Sequence, residues 1–329
     1  MSRCASLVAA LAIVGWYGIA LAAEGPAVTD AAKAGPDFAV QGEYQGEMQI
    51  DGRTQKVGLQ VIALGESKFD AVLSFGGLPG DGWKRGDRAD RGSGKTEGGA
   101  TIIKANNGNG SAKIADGKVE ITNSGGQTMG TLKKIDRQSP TLGAKPPAGA
   151  IVLFDGKNAD EFPGAKVTAD GLLGVPCTSK REFTDHTLHV EFRTPYMPQA
   201  RGQGRGNSGV YLQNRYEVQV LDSFGLTGEN NECGGLYSLK APAVNMCLPP
   251  LSWQTYDMDF TAAKYEGDKK IKTARVTIKH NGVPIYDDTE IPSLTPGGAP
   301  SEAPGRGPLY MQDHGNPVVY RNIWVVEKK

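Results

Sequence analysis

The sequence predicts an all-β protein, an antiparallel sandwich of jelly-roll type preceded by a small antiparallel β unit. Two observations carry this prediction. Short runs rich in Val, Ile, Thr, Tyr and Phe are punctuated by 45 Gly and 20 Pro, the residues that set turns. No long stretch places apolar residues at helical spacing, so helix should be scarce. The 329 residues suffice for two domains of ordinary size, or for one large sandwich with an accessory piece. Acidic and basic residues number 36 each, which leaves no net field to draw in nucleic acid or an anionic membrane. A neutral ligand is the expected partner.

The N-terminus, "MSRCASLVAALAIVGWYGIALAAEG", joins one Arg to an apolar run that ends in small residues around Ala20, Ala22 and Ala23. This is the pattern of a secretory signal over residues 1–23, and its removal predicts an exported protein, periplasmic or extracellular, with no stable membrane span. Retention as an anchor is the alternative. Cys4 goes with the signal, leaving Cys177, Cys233 and Cys247. In an oxidising compartment the nearer pair, Cys233 and Cys247, can close a loop and leave Cys177 over. No C-x-x-C or Cys/His cluster accompanies them, which speaks against a cysteine metal site.

Residues 36–136 alternate strand-like runs with D-G, N-G and P-G turns, as in "DFAVQGEYQGEMQIDGRTQKVGLQVIALG", and read as a small β-rich domain. Within it, "WKRGDRADRGSGKTEGG" (Trp83 to Gly99) is polar, Gly-rich and mixed in sign, which predicts a solvated loop. Lys104, Lys113 and Lys118 are expected to face solvent. Residues 137–149, within "DRQSPTLGAKPPAGA", have the composition of a linker, so few contacts are expected to cross it. From 150 to 329 follow the strand candidates "HTLHVEFRTP", "NSGVYLQN", "YEVQVLDS", "CGGLYSL", "WQTYDMDFTA", "KTARVTIKHNGVPIYDD" and "YRNIWVVEK", with no room for helices between them. Two long insertions, Tyr196 to Gly206 and Ser293 to Gly307, interrupt the series. Long loops at a sandwich rim are where binding functions tend to sit.

Side chains alternate between the faces of a strand, so each run can be sorted. In "YEVQV", Val218 and Val220 take the core, which turns Glu217 and Gln219 outward together. In "HVEFR", Val190 and Phe192 go in, leaving His189, Glu191 and Arg193 out. In "SGVYLQ", Tyr211 and Gln213 face out. Placed on neighbouring strands, these residues would form one polar face with aromatic and bidentate groups suited to a sugar's hydroxyls. Glu217, Gln219 and Asp222 also follow the spacing E-x-D-x-x-E that carries the acids of retaining jelly-roll glucanases. With Gln in the middle and Asp at the end, the spacing departs from that pattern. Trp253 and Trp324 read as core, and His186, His189 and His280 as surface. Asn207 and Ser208 either begin a strand or touch a ligand.

"LFDGKN", "NSGVYLQNRYEVQVLDS", "CGGLYSLKAPAVN", "WQTYDMDF", "NGVPIYDD" and "GPLYMQDHGNPVVYRNIWV" occur in that order between Ile151 and Lys329. Together they resemble the bacterial 3-keto-disaccharide hydrolase domain family, also described as 3-keto-glucoside 1,2-lyase/3-keto-2-hydroxy-glucal hydratase. The resemblance does not cover the N-terminal half. It implies a concanavalin A-like jelly roll acting on a carbohydrate already oxidised at C3. A ketone there acidifies the C2 hydrogen, so a base can remove it and the enolate can expel the C1 substituent. Glu217 is the expected base, with Arg193 or Gln219 as donor to O3. His314 would protonate the leaving group or activate the water that hydrates the glycal, its tautomer set by Asp313 or by a backbone carbonyl. Glu191, Tyr211, Gln213, Gln219, Asp222, Gln312 and Asp313 complete the expected substrate-binding set. No cofactor is required by the sequence, and a divalent metal stays open because carboxylates can converge with His314. Two other functions stay open beside this one: a non-catalytic carbohydrate-binding jelly-roll module, and a retaining glycoside hydrolase.

Overall fold

Along Arg53–Gly65 alternation turns Val57, Leu59, Val61 and Ala63 to one side, and the same period recurs in the strands on either hand. The computed structural model of the chain describes residues 25–328, so the expected signal segment and Cys4 lie outside the described residues. Eight strands follow: β1 (Gly42–Ile50), β2 (Arg53–Gly65), β3 (Lys68–Phe75), β4 (Ala89–Glu97), β5 (Ala100–Ala105), β6 (Gly110–Ala115), β7 (Lys118–Asn123) and β8 (Thr128–Ile135). Each pairs antiparallel with the next, and β8 returns to β1. The expected small β unit is therefore a closed up-and-down barrel, an arrangement with no exposed sheet edge.

The segment expected as a solvated loop supplies β4. Its inward positions include Gly92, opposite Ala71, and Gly94, opposite Phe69. These glycines erase the apolar alternation that would have announced a strand. They are needed because the neighbouring backbone comes close here: a Cβ on Gly94 would lie 1.8 Å from the Ile102 carbonyl oxygen.

The second unit is a sandwich. Its larger sheet runs in the order β9 (Ile151–Phe154), β18 (Val319–Glu327), β11 (His186–Arg193), β14 (Gln254–Thr261), β15 (Ala274–His280) and β16 (Val283–Ile291), with Leu173–Gly174 also paired to β18. Its smaller sheet runs β10 (Cys177–Phe183), β17 (Gly307–Met311), β12 (Ser208–Leu212) and β13 (Tyr216–Val220). Leu188, Val190, Phe192, Tyr256, Met258 and Phe260 of the larger sheet meet Val210, Leu212, Val218 and Val220 of the smaller in one core. The hairpin between β12 and β13 turns on three residues, 213–215, of which Gln213 and Asn214 are at positive φ (54° and 53°), and the Arg215 N–H donates to the Leu212 carbonyl. "CGGLYSL", expected as a strand, is a loop in which Leu236 makes single bridges to Val218 and Lys240.

The linker is tied down rather than free. Arg137 donates to buried Glu43 of the barrel, and Ser139 and Thr141 hydrogen-bond Thr255 and Asp257. The Gly143 N–H donates to Glu191 at 2.5 Å. Contacts between the units are extensive as well. Ile62 and Val72 of the barrel belong to the sandwich core, and Tyr196 of the sandwich belongs to the barrel core. Arg85 donates to the Gly228 and Pro242 carbonyls. The expectation that few contacts cross the linker is not met.

Cys233 and Cys247 lie side by side, as their spacing suggested, but as buried free thiols, and Cys177 is also free. The Cys233 sulfur sits 3.3 Å from the Tyr256 hydroxyl. Among the described residues no helix is long and apolar enough to cross a membrane.

Candidate active site

The outer face of the smaller sheet is built by register. Tyr211 stands opposite Glu217 and Tyr310, and Gly209 stands opposite Gln219. The valines between them, Val210 and Val218, fill the core, which forces these polar side chains out together. Both rim insertions fold over them. Gln203, from the first, accepts from the Gln219 amide at 2.9 Å. Pro296, from the second, offers its carbonyl to the Tyr211 hydroxyl at 2.7 Å.

Glu217 is the centre of the cluster. It is only 2% exposed, and burial pushes its carboxyl up to about 7, opposed by a hydrogen bond from Tyr211. The Tyr211 hydroxyl lies 2.8 Å from Glu217 Oε2 and accepts from Gln312 Nε2 at 3.1 Å. Having one proton, it serves either the carboxylate or the Pro296 carbonyl, not both. Glu217 reaches this position because residue 209 is glycine: a Cβ there would stand 2.1 Å from Glu217 Oε1. The backbone N–H of Glu217 donates to Thr295 Oγ1. A carboxyl whose ionisation falls near neutrality, held in a shell of amide and hydroxyl groups, can exchange a proton with a bound molecule at physiological pH.

The structure thus brings together Glu217, Tyr211, Gln219 and Gln312. Glu191 and Arg193 do not join them. They lie on β11 of the larger sheet, whose outward face points away from the smaller sheet across the shared core. Alternation sorted their side chains correctly but does not say which sheet a strand enters. There Glu191 accepts from Gly143 N–H, from Arg321 at 2.7 Å and from Asn322 at 2.9 Å. Burial would raise its carboxyl, yet these bonds and one from His189 outweigh it and hold the group at about 2. Arg193 and Arg321 stack over Trp253, at 5.1 and 3.9 Å. Trp253 and Trp324 accordingly sit half-buried on this face rather than in the core.

Gln213 is a hairpin residue, its amide donating to the Phe183 carbonyl and its carbonyl oxygen accepting from Arg215. Asp222 is committed to a buried ion pair with Arg205 at 2.7 Å, so the E-x-D-x-x-E spacing brings no second carboxylate to Glu217. Asp313 caps the Gly315 N–H. His314 is exposed in the loop that leaves β17 two residues beyond Gln312. His186, His189 and His280, expected at the surface, are each fully buried. His189, for example, pairs with Asp257 at 2.6 Å and stacks on Trp324. Among the described residues no group of three His, Cys, Asp or Glu side chains could hold a metal ion.

Gly209 and Gln203 were missed as site residues, and Asn207, for which ligand contact was one of two readings, lies beside Gln203 just ahead of β12. Asn207 donates to the Gln203 carbonyl while its own Oδ1 is buried without a partner. The legible signal was the first insertion itself, which ends at Gly206, two residues before β12 begins.

Fold and site together define a β-sandwich domain with a buried carboxylate on the outer face of its smaller sheet. Residues 149–326 match the family model of the 3-keto-alpha-glucoside-1,2-lyase-like domain, and the chain belongs to that family. Among solved structures, one described as a "putative glycosyl hydrolase" from Parabacteroides distasonis is 32% identical, with a TM-score of 0.50, covering 55% of this chain and 85% of its own. Two more of the same description and organism are 17% and 20% identical, with TM-scores of 0.40 and 0.38; they cover 55% and 54% of this chain and 94% and 99% of their own. No curated protein matches the chain.

Proposed function

We propose that this protein is an exported enzyme that cleaves 3-keto-glycosides by elimination. The observation that carries the reading is Glu217, a desolvated carboxyl with a pKa of about 7 on the outer face of the family's domain. Glu217 removes the C2 proton and becomes the neutral acid, while the C–H electrons pass into the C2–C3 enolate. The enolate then re-forms the C3 ketone and expels the C1 oxygen, which takes a proton from His314. Water adds at C1 of the resulting glycal and C2 regains a proton, giving the free keto sugar.

Gln219 is the donor to O3 in this scheme. Arg193, the other candidate, belongs to the opposite face of the sandwich. Tyr211 holds the carboxylate in place and, with Gln312, relays a hydrogen-bond chain to it. No cofactor enters any step. The two-carboxylate retaining mechanism lacks its second acid from this motif, since Asp222 is engaged by Arg205. A pure binding module has no use for a carboxyl tuned to neutrality.

The test incubates the protein with a plain glucoside and with its 3-keto derivative. Turnover of the keto sugar alone, in heavy water with deuterium appearing at C2, is the expected result. Turnover of the plain sugar, or product that retains its C2 hydrogen, would overturn elimination.

A further inference from the structure

The family domain leaves the barrel without a role, and its interior is not filled. An eight-stranded barrel is just wide enough either for its own side chains or for one small ligand. Here the two ends are built differently. Towards the β2–β3 turn Tyr44, Val61 and Phe69 pack the lumen. The helix Gly35–Val40 covers that end, where Asp37 accepts from the Ser67 N–H and Gln41 from the Ala63 N–H. Phe38 and Tyr196 seal it edge to face.

Towards the opposite end the inward positions turn small. Ala71, Gly92, Ala105, Gly110 and Ala112 face one another around the wall, and a cavity of ≈ 180 Å³ remains. Its wall is mostly apolar, with Met48, Leu59, Ile103 and Ile121 among the larger groups, and Arg88, Asp90, Arg91, Ser111 and Thr122 also line it. At the rim Asp90 is partly exposed and pairs with Arg88 at 2.8 Å, and the Arg88 guanidinium lies 4.1 Å over the Phe75 ring. Asn109 and Asn123 add neutral polar groups there.

We propose that the barrel is a second binding site, for a small neutral molecule of the phenol class: one aromatic ring with a short apolar substituent inside the lumen, its hydroxyl at the Arg88–Asp90 rim. The volume sets the size, because an apolar cavity of about 150 Å³ stays dry and accepts benzene. The lining sets the polarity, since it is apolar but for Arg88, Asp90, Arg91 and a few neutral polar residues. The rim sets the hydroxyl: Asp90 accepts a hydrogen bond from the phenolic OH, and the Arg88 guanidinium paired with it holds the carboxylate in place. This inference stands apart from the chemistry at Glu217.

The test uses the full chain with 4-ethylphenol and ethylbenzene as probes, read by calorimetry and by the ¹³C-methyl resonances of methionine. Saturable one-site binding should move Met48 and Met129 and leave Met258 and Met311, in the sandwich, unmoved. Asp90→Asn should weaken 4-ethylphenol about fivefold and ethylbenzene hardly at all. Ala112→Phe, which fills the lumen, should abolish binding of both; if that variant does not fold, the methyl shifts and the rim variant decide. Movement of Met258 or Met311 alone, or binding of 4-ethylphenol that does not saturate, would overturn the proposal.

Discussion

At Glu217 the proposed catalysis and stability pull in opposite directions. Its carboxyl titrates near 7 in the fold, against an ordinary 4.5, so between these values the native state holds a proton that the unfolded chain has released. Stability therefore falls as pH rises from about 4.5 through 7, by at most roughly 3 kcal/mol. Glu217→Gln removes the ionisable group while keeping the shape. It should abolish turnover and yet raise the melting temperature at pH 8, with little change at pH 4.5, as thermal melts at the two pH values will show. Under the proposed elimination kcat/KM should climb about tenfold per pH unit below 7 and level off above, because the base must be ionised. Gly209→Ala, which places a methyl where Glu217 Oε1 lies, should lower activity strongly although it touches no titratable group; recovery of activity in this variant to the native level would remove the glycine from the site.

Between the strands, the outer face of the larger sheet does the work of attachment. Glu191 gathers the linker through Gly143 and the sheet through Arg321 and Asn322. Its folded pKa is depressed to about 2, so its contribution is complete above pH 4.5 and is lost as pH falls towards 2. Glu191→Gln keeps some of the hydrogen bonds but not the charge. The variant should lose about 1 to 3 kcal/mol at pH 7 and show faster amide hydrogen exchange across residues 139–149, while the exchange of β12 and β13 stays as in the native chain. Unchanged exchange in the linker would mean that other contacts hold it.

Across the whole molecule the barrel and sandwich share apolar surface, with Tyr196 in one direction and Ile62 and Val72 in the other. Such an interface couples the two units more tightly than a flexible tether would. A chain beginning at residue 149 should accordingly melt several degrees below the full protein and bind an apolar dye, while the full chain should unfold in one calorimetric transition. Two separated transitions, with the upper one equal to that of the shortened chain, would show that the units are independent.

Much of this protein was legible in its residues alone. Period-two alternation and Gly/Pro punctuation gave the all-β class, since those patterns follow from local backbone geometry. The same period put Glu217, Tyr211 and Gln219 on one side of their strands, and the two long insertions marked the loops that cover them. Partnership between strands was not legible, because pairing depends on contacts far apart in sequence. Glu191 and Arg193 have the same outward alternation as Glu217, yet their strand joins the other sheet, and the core that separates the sheets turns them to the opposite side. Closure of the N-terminal strands into a barrel was hidden for a related reason: the inward glycines of Ala89–Glu97 carry no hydrophobic signal, and their purpose appears only where the neighbouring backbone comes too close for a side chain. The sequence by itself determined which residues could act. The tertiary structure decided which of them meet, because burial, and with it the pKa of Glu217, is a property of what packs around a side chain rather than of the side chain.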